Sequence, residues 1–255
     1  MEEYQLPLVI FTSLSQTAAG MAIFLAWRRW ATGSRPQRKG WLVIGIILLI
    51  SLVGASFHLS YPLHGYYALI NIRQAWLSRE IVAAGAFAVA IAAAFLSNGH
   101  KLAVLAAALF AIVLVIVQGM TYAAPAITAI ANGLPMVYYF LTVWVMGAAC
   151  IPLLDEVPSA SLLRQGILLF VLSLIIAPLI WSSGGTMMQM TAWKWSTSLF
   201  FWGSILCFIL AYILSVRGSK TLSTAAAAAL AAVVLSRLAF FGDTISTIVN
   251  IGHPY

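Results

Sequence analysis

Long apolar stretches separated by short polar segments fill the chain from end to end. We count eight stretches of about 20 mainly apolar residues, the length that an α-helix needs to cross a bilayer. They cover roughly residues 7–27, 41–60, 81–97, 102–121, 135–154, 165–183, 196–216 and 222–241. Apolar residues are continuous rather than alternating, which favours helices over barrel strands. The pattern predicts an all-α polytopic membrane protein, a bundle of about eight transmembrane helices forming one integral membrane domain over 1–255.

Composition supports the membrane interpretation. Hydrophobic residues make up 63% of the 255 residues and charged residues only 7%, whereas a soluble domain carries about 25% charged residues. The net charge of +7 does not indicate nucleic-acid binding, because the basic residues lie beside the apolar stretches. Glu2 and Glu3 stand where a cleavable signal peptide would have basic residues, so we expect no such peptide.

Lys and Arg are unevenly divided between the two sets of connecting segments. Nine lie in the segments on one side and four on the other. Because the side richer in Lys and Arg faces the cytoplasm, we predict that both termini lie on the non-cytoplasmic side. In a bacterium the chain would then be a multi-pass protein of the inner membrane.

His58 closes the second apolar stretch, within the sequence SFHLSYP at 56–62. A histidine, with an ordinary pKa of about 6.5, can hydrogen-bond a quinol hydroxyl and accept its proton. A histidine at a helix C-terminus is also favoured by the helix dipole alone. Position by itself leaves both interpretations open.

Glu80 opens the third apolar stretch, within WLSREI at 76–81. An acid in a first helical turn, with Ser78 as the cap, stabilises a helix N-terminus. The alternative is a proton acceptor at the same membrane depth as His58, since the connecting segment joins the two stretches on the outer side. The shared depth gives the two interpretations equal weight.

Other polar residues flank this end of the predicted bundle. Arg79, Arg73 and Tyr61 belong to the same connecting segment, whose aromatic rings suit a membrane-surface belt, a quinone-sized cleft or a docking surface. Arg237 lies about one turn inside the end of the last stretch. Its side chain either snorkels to the membrane surface or faces the bundle and pairs with a quinol site or a partner.

The sequence argues against redox centres held by the chain itself. A b-type haem in a bundle needs two histidines on facing helices, and the nearest approach, His58 with His64, lies at one end of one stretch. Cys150 and Cys207 are too few for an iron–sulfur cluster, which needs about four cysteines. We therefore predict no haem, no cluster and no metal site.

Two adjoining blocks resemble a known family. HLSYP at 58–62 followed by NIRQAWLSREI at 71–81 resembles the signature of the dimethyl sulfoxide (DMSO) reductase membrane anchor subunit family, a His-Leu-Gly-x-Pro turn and then a Trp-Leu-Ser-Arg-Glu-type sequence. PLVIFT at 7–12 and SRLAFF at 236–241 are similar to the family's opening and C-terminal region. Ser60 replaces the turn glycine, and Val233 stands where the family often has an acid.

The resemblance implies a function. Such anchors bind and oxidise menaquinol without haem and pass electrons to a ferredoxin-like iron–sulfur subunit, which feeds a molybdopterin catalytic subunit. The family's quinol-oxidising histidine and glutamate match His58 and Glu80. We expect the quinol site to be completed by Arg79, Arg73, Tyr61 and Arg237, with the partner subunits docked on the outer face.

Two alternative functions stay open at this point. A secondary transporter needs polar groups and broken helices near the membrane midplane, but the centres of the predicted spans carry almost no polar residues and only Pro178 interrupts one. A purely structural anchor without a quinone site is the second alternative. Whether the chain counts as an enzyme is uncertain, because it would oxidise quinol without reducing the terminal acceptor itself.

Overall fold

The computed structural model describes residues 4–33, 38–57, 69–154, 160–217 and 221–246. These residues form nine α-helices and no β-strand. In chain order the helices are α1 Leu6–Ala31, α2 Arg38–Ser56, α3 Trp76–Leu96, α4 Lys101–Tyr122, α5 Leu134–Leu154, α6 Ala160–Ser182, α7 Thr186–Thr197, α8 Leu199–Val216 and α9 Leu222–Gly242.

Eight of these helices, all except α7, are long and apolar enough to cross a bilayer. The predicted all-α bundle with eight spans is therefore confirmed by length and composition. Its sidedness and its single-domain extent over 1–255 stay predictions. We call the end where α3 begins the Glu80 end, and the end where α3 finishes the basic end.

The start of α3 differs from the prediction. The helix begins at Trp76 with Ala75 in the N-cap position, so Ser78 lies inside the first turn and does not cap it. The Arg79 guanidinium packs 4.3 Å from the ring centroid of Trp76, a cation–π contact within this part of the helix. Glu80 consequently lies just past the first turn of the helix rather than within it.

A second difference concerns residues 184–195, predicted as a polar connection. They contribute most of α7, a 12-residue helix that is too short to span a bilayer. Its buried face consists of Thr191, Ala192 and Trp195, and the Trp195 ring packs edge-on against Trp181 of α6 at 5.0 Å. Hydropathy correctly indicates that this segment does not span the membrane. It does not predict the helix, whose buried residues are apparent only from its packing against α6.

Helices α1 and α5 form the centre of the bundle. α1 contacts α2, α4, α5 and α9. α5 contacts α1, α4, α6 and α9. The two central helices approach very closely: a Cβ atom added to Gly20 would lie 2.2 Å from the carbonyl oxygen of Val143, and one added to Gly147 would lie 2.7 Å from that of Gly20. Small residues permit such approaches between membrane helices. Pro178 lies within α6, which continues through it to Ser182.

Candidate functional site

A connected set of buried polar side chains lies inside the bundle, in the half nearer the Glu80 end. Four helices supply its members, which are at most 1% exposed: Ser15, Gln16, Gln118, Thr142 and Arg237. We call this set the interior polar cluster. Polar groups in a membrane span are costly and tend to mark function.

Arg237 of α9 anchors the cluster. Its Nη2 atom donates hydrogen bonds of 2.8 Å to Gln16 Oε1 and 2.7 Å to Thr142 Oγ1. The guanidinium carbon also lies 4.5 Å from the ring centroid of Tyr139, a cation–π contact. Arg237 is 1% exposed, so its side chain faces the bundle and does not snorkel to the membrane surface.

The hydrogen bonds continue from α1 to α4. Gln16 Nε2 donates to Gln118 Oε1 at 3.2 Å, and Gln118 Nε2 donates back to Ser15 Oγ at 3.0 Å. Each amide thus accepts at its oxygen and donates from its nitrogen along one direction, an arrangement in which successive bonds polarise one another. The positive charge of Arg237 is thereby linked to α4 through two neutral side chains.

Glu80 of α3 lies beside this chain of hydrogen bonds. Its side chain is 2% exposed and adjoins Gln118 and Thr121. Within the described part of the protein, neither carboxylate oxygen makes a hydrogen bond of good geometry, although the polar side chains of Gln118 and Thr121 adjoin it, and no salt bridge joins Glu80 to Arg237. A buried polar group left without a partner costs about 1–3 kcal/mol, so the Glu80 carboxyl group is available to a proton or a ligand.

Aromatic rings lie beside the acid and the cation. The Tyr122 ring packs edge-on against Tyr139 at 5.8 Å and against Phe241 at 5.5 Å. Tyr122 is close enough to interact electrostatically with both Glu80 and Arg237. In the part of the chain that the structure covers, the Tyr139 hydroxyl and Arg237 Nε also lack hydrogen-bond partners. Three unsatisfied polar groups and flat aromatic walls therefore occur together at one end of the bundle.

A family comparison gives this geometry its context. The family model for the DMSO reductase anchor subunit (DmsC) matches residues 1–242. The chain belongs to this family. The resemblance noted in the sequence is thus confirmed over nearly the whole chain, and the protein is a multi-pass membrane anchor of the DMSO reductase type. No curated protein matches the chain.

The structure of this DMSO reductase anchor brings only some of the predicted site residues to the same place. Arg237 belongs to the interior polar cluster, and Glu80 lies beside the cluster next to Gln118. Arg79 turns away from it: Nε donates to the Ile72 carbonyl at 2.9 Å and Nη2 to the Arg73 carbonyl at 2.6 Å. Arg73 is exposed in the segment before α3. His58, Tyr61 and His64 lie outside the described residues.

Sequence reasoning missed four of the five members of the interior polar cluster. Ser15, Gln16, Gln118 and Thr142 are polar residues inside apolar spans, whereas the span centres were expected to carry almost no polar side chains. Gln118 and Arg237 both lie about one turn from the end of their helices at the Glu80 end. That shared depth was the available signal, but a sequence does not show which face of each helix points inward.

The described residues contain no group of three or more His, Cys, Asp or Glu that could hold a metal ion. Cys150 and Cys207 are free and partly buried. The predicted absence of haem, iron–sulfur cluster and metal stays a prediction.

Proposed function

We propose that this anchor binds menaquinol at the Glu80 end of the bundle, oxidises it, and passes the electrons to a docked ferredoxin-like iron–sulfur subunit. That subunit would supply a molybdopterin catalytic subunit. Oxidation of one quinol releases two protons and two electrons. The anchor must therefore accept protons from the ring hydroxyls while the electrons leave through the partner, and it does not itself reduce the terminal acceptor.

The observation that carries the proposal is the unpartnered carboxyl group of Glu80. A carboxylate buried in a membrane span without a counter-charge in contact is unfavourable, and a structural role would leave it hydrogen-bonded or at the surface. A quinol hydroxyl would provide the missing partner and the proton. His58, predicted at the same depth, is the proposed acceptor of the second proton.

The interior polar cluster supports Glu80 electrostatically. Arg237 is the buried cation of the Glu80 end, and it reaches toward the acid through Gln16 and Gln118. The Gln118 side chain adjoins the Glu80 carboxyl group, and a polar neighbour of this kind favours the ionised carboxylate that proton acceptance requires. The flat rings of Tyr122 and Tyr139 suit the walls of a quinone-sized cleft. Arg79, Arg73 and Tyr61 belong, on this proposal, to the entrance and the docking surface.

The docking face for the iron–sulfur subunit is proposed at the same end, because electron transfer requires the two redox sites to be close. Here α7 and the segment after α9 are held together. Lys194 Nζ donates to the Gly242 carbonyl at 2.7 Å and lies 3.9 Å from the Asp243 carboxylate, and Trp195 Nε1 donates to Thr244 Oγ1 at 3.3 Å. Together with the distribution of Lys and Arg, this arrangement supports the proposal that the partners dock on the outer side of a bacterial inner membrane.

Replacement of Glu80 by Gln tests the proposal, because it keeps the size of the side chain and removes its ability to accept a proton. In membranes containing the assembled complex, we expect quinol-driven reduction of dimethyl sulfoxide to fall by about 100-fold. Reduction driven by an artificial dye that feeds electrons directly to the partner subunits should be unchanged. His58→Gln should behave in the same way.

Two outcomes would contradict the proposal. A Glu80→Gln complex that uses quinol at the full rate removes Glu80 from the chemistry. A quinol analogue that leaves every partner cluster spectroscopically unchanged would favour the purely structural anchor. The secondary-transporter alternative predicts uptake of a solute by vesicles that contain the anchor without its partners.

A further inference from the structure

An apolar groove lies between α2 and α3, on the lipid-facing side of the bundle. It has a volume of about 380 Å³ and every residue that lines it is apolar. Its walls include Leu42, Ile46 and Leu49 of α2 and Ala88, Ala92 and Phe95 of α3. The alanines and Gly45 make the groove deep, because their small side chains leave space between two helices that are otherwise neighbours.

The groove has the length of one bilayer leaflet. On α2 it runs from Trp41 to Leu52, which at 1.5 Å per residue is about 16 Å. Half of a hydrocarbon core of about 30 Å is about 15 Å. One end of the groove stops short of the Glu80 end of the bundle. The other reaches the first turn of α2 at the basic end. The groove therefore fits an acyl chain whose head group lies at the basic end.

Arg38 lies where the groove opens at the basic end of the bundle. It is exposed, and its guanidinium lies 5.0 Å above the ring of the groove residue Phe95, with Nε donating to the Phe95 carbonyl at 3.4 Å. Lys39, also exposed, is adjacent. This contact holds the cation at the mouth of the groove.

The surroundings are positively charged. The described residues at the basic end include seven Lys or Arg and no Asp or Glu; Asp155 and Glu156 follow α5 outside the described part. Basic pockets between membrane helices on such a side favour anionic lipid head groups. Arginine matches the geometry of a phosphate with two parallel hydrogen bonds.

We propose that this groove is a binding site for an anionic phospholipid, with an acyl chain between α2 and α3 and the phosphate on Arg38 and Lys39. A menaquinol tail is a poorer occupant, because its uncharged head group gains nothing from Arg38. The head would also have to lie at Glu80, 15 residues or about 22 Å along α3 from Phe95. The inference does not depend on the proposed quinol chemistry.

Native mass spectrometry of the purified complex tests this site. The complex is delipidated in detergent and titrated with phosphatidylglycerol or with phosphatidylcholine carrying the same acyl chains. We expect one phosphatidylglycerol to be retained in preference to phosphatidylcholine, and Arg38→Gln to reduce its retention by about fivefold. Arg217→Gln, which removes an exposed charge at the same end of the bundle, is the control and should retain the lipid.

A second variant tests the groove itself without changing charge. Ala92→Leu fills the groove from an exposed position on α3 and should abolish retention while the complex stays assembled. Equal retention of both lipids, equal effects of Arg38→Gln and Arg217→Gln, or full retention by Ala92→Leu would each overturn the proposal. Displacement of the lipid by a menaquinone analogue would instead assign the groove to the quinone.

Discussion

A hydrogen bond of 2.8 Å joins Arg237 of α9 to Gln16 of α1, although 221 positions separate the two residues along the chain. The bond connects the last helix of the chain to the first, which lies at the centre of the bundle. The same guanidinium binds Thr142 of α5, so one side chain connects three helices. The Arg237 guanidinium is also the buried cation of the proposed quinol site. It therefore has a structural role in joining helices and a proposed functional role in quinol oxidation.

Arg237→Lys should separate these two roles. Lysine keeps the positive charge but lacks the planar group that bridges Gln16 and Thr142 and stacks on Tyr139. We expect the complex to lose about 1–3 kcal/mol of stability, measured as thermal unfolding in detergent, while part of the quinol-driven rate remains. Arg217→Lys is the matched control, since Arg217 is exposed; an equal loss of stability in both variants would contradict the bridging role.

Gln118→Leu should weaken the connection between α1 and α4. The substitution removes the hydrogen bonds to Gln16 and Ser15 and leaves the Gln16 amide without its acceptor. We expect a loss of about 1 kcal/mol in unfolding free energy and a larger fall in quinol-driven activity, because Glu80 also loses a polar neighbour. Gln165→Leu, at an exposed position of α6 near the basic end, should change neither. An unaltered quinol rate in Gln118→Leu would argue against the electrostatic link.

Gly20→Ala should disrupt the packing of the two central helices. The added Cβ would lie 2.2 Å from the Val143 carbonyl oxygen and 2.8 Å from the Gly147 nitrogen, and these are backbone atoms that cannot turn aside. We expect destabilisation of about 3 kcal/mol, the upper end of overpacking costs, seen as loss of assembled complex from membranes.

Gly85→Ala is the matched control for Gly20→Ala. Gly85 also lies within a spanning helix, but no heavy atom of a neighbouring group comes within 4 Å of the position of its added Cβ. Alanine should be tolerated there or stabilise α3 by about 0.5–1 kcal/mol. If both variants assemble equally well, the close approach of α1 to α5 is not required.

Ser198→Ala should loosen the corner between α7 and α8. Its hydroxyl caps α8 by accepting from the amides of Phe200 and Phe201, and it donates to Asp243 at 2.5 Å. Loss of an N-cap costs about 1 kcal/mol, and we expect weaker co-purification of the iron–sulfur subunit as well. Ser182→Ala, at an exposed serine that bonds the Leu179 carbonyl within α6, should bind the partner normally.

The sequence by itself determined the number and approximate extent of the spans. A helix must satisfy its own backbone in hydrocarbon, so a continuous run of about 20 apolar residues has one structural solution whatever its neighbours are. The same local information placed Glu80 near the start of α3, and the motif around it indicated the family. These features depend on residues that are close together in the chain.

Only the tertiary structure decided which polar side chains meet. In a span such as α9 that is apolar on nearly all faces, no periodic pattern shows which face points inward, so Arg237 could be placed in the bundle or at its surface with equal ease. Packing of α9 against α1 and α5 settled this and brought Arg237 to Gln16 and Thr142. The helical form of α7 has the same origin, because its buried residues acquire a partner only when α6 lies beside it.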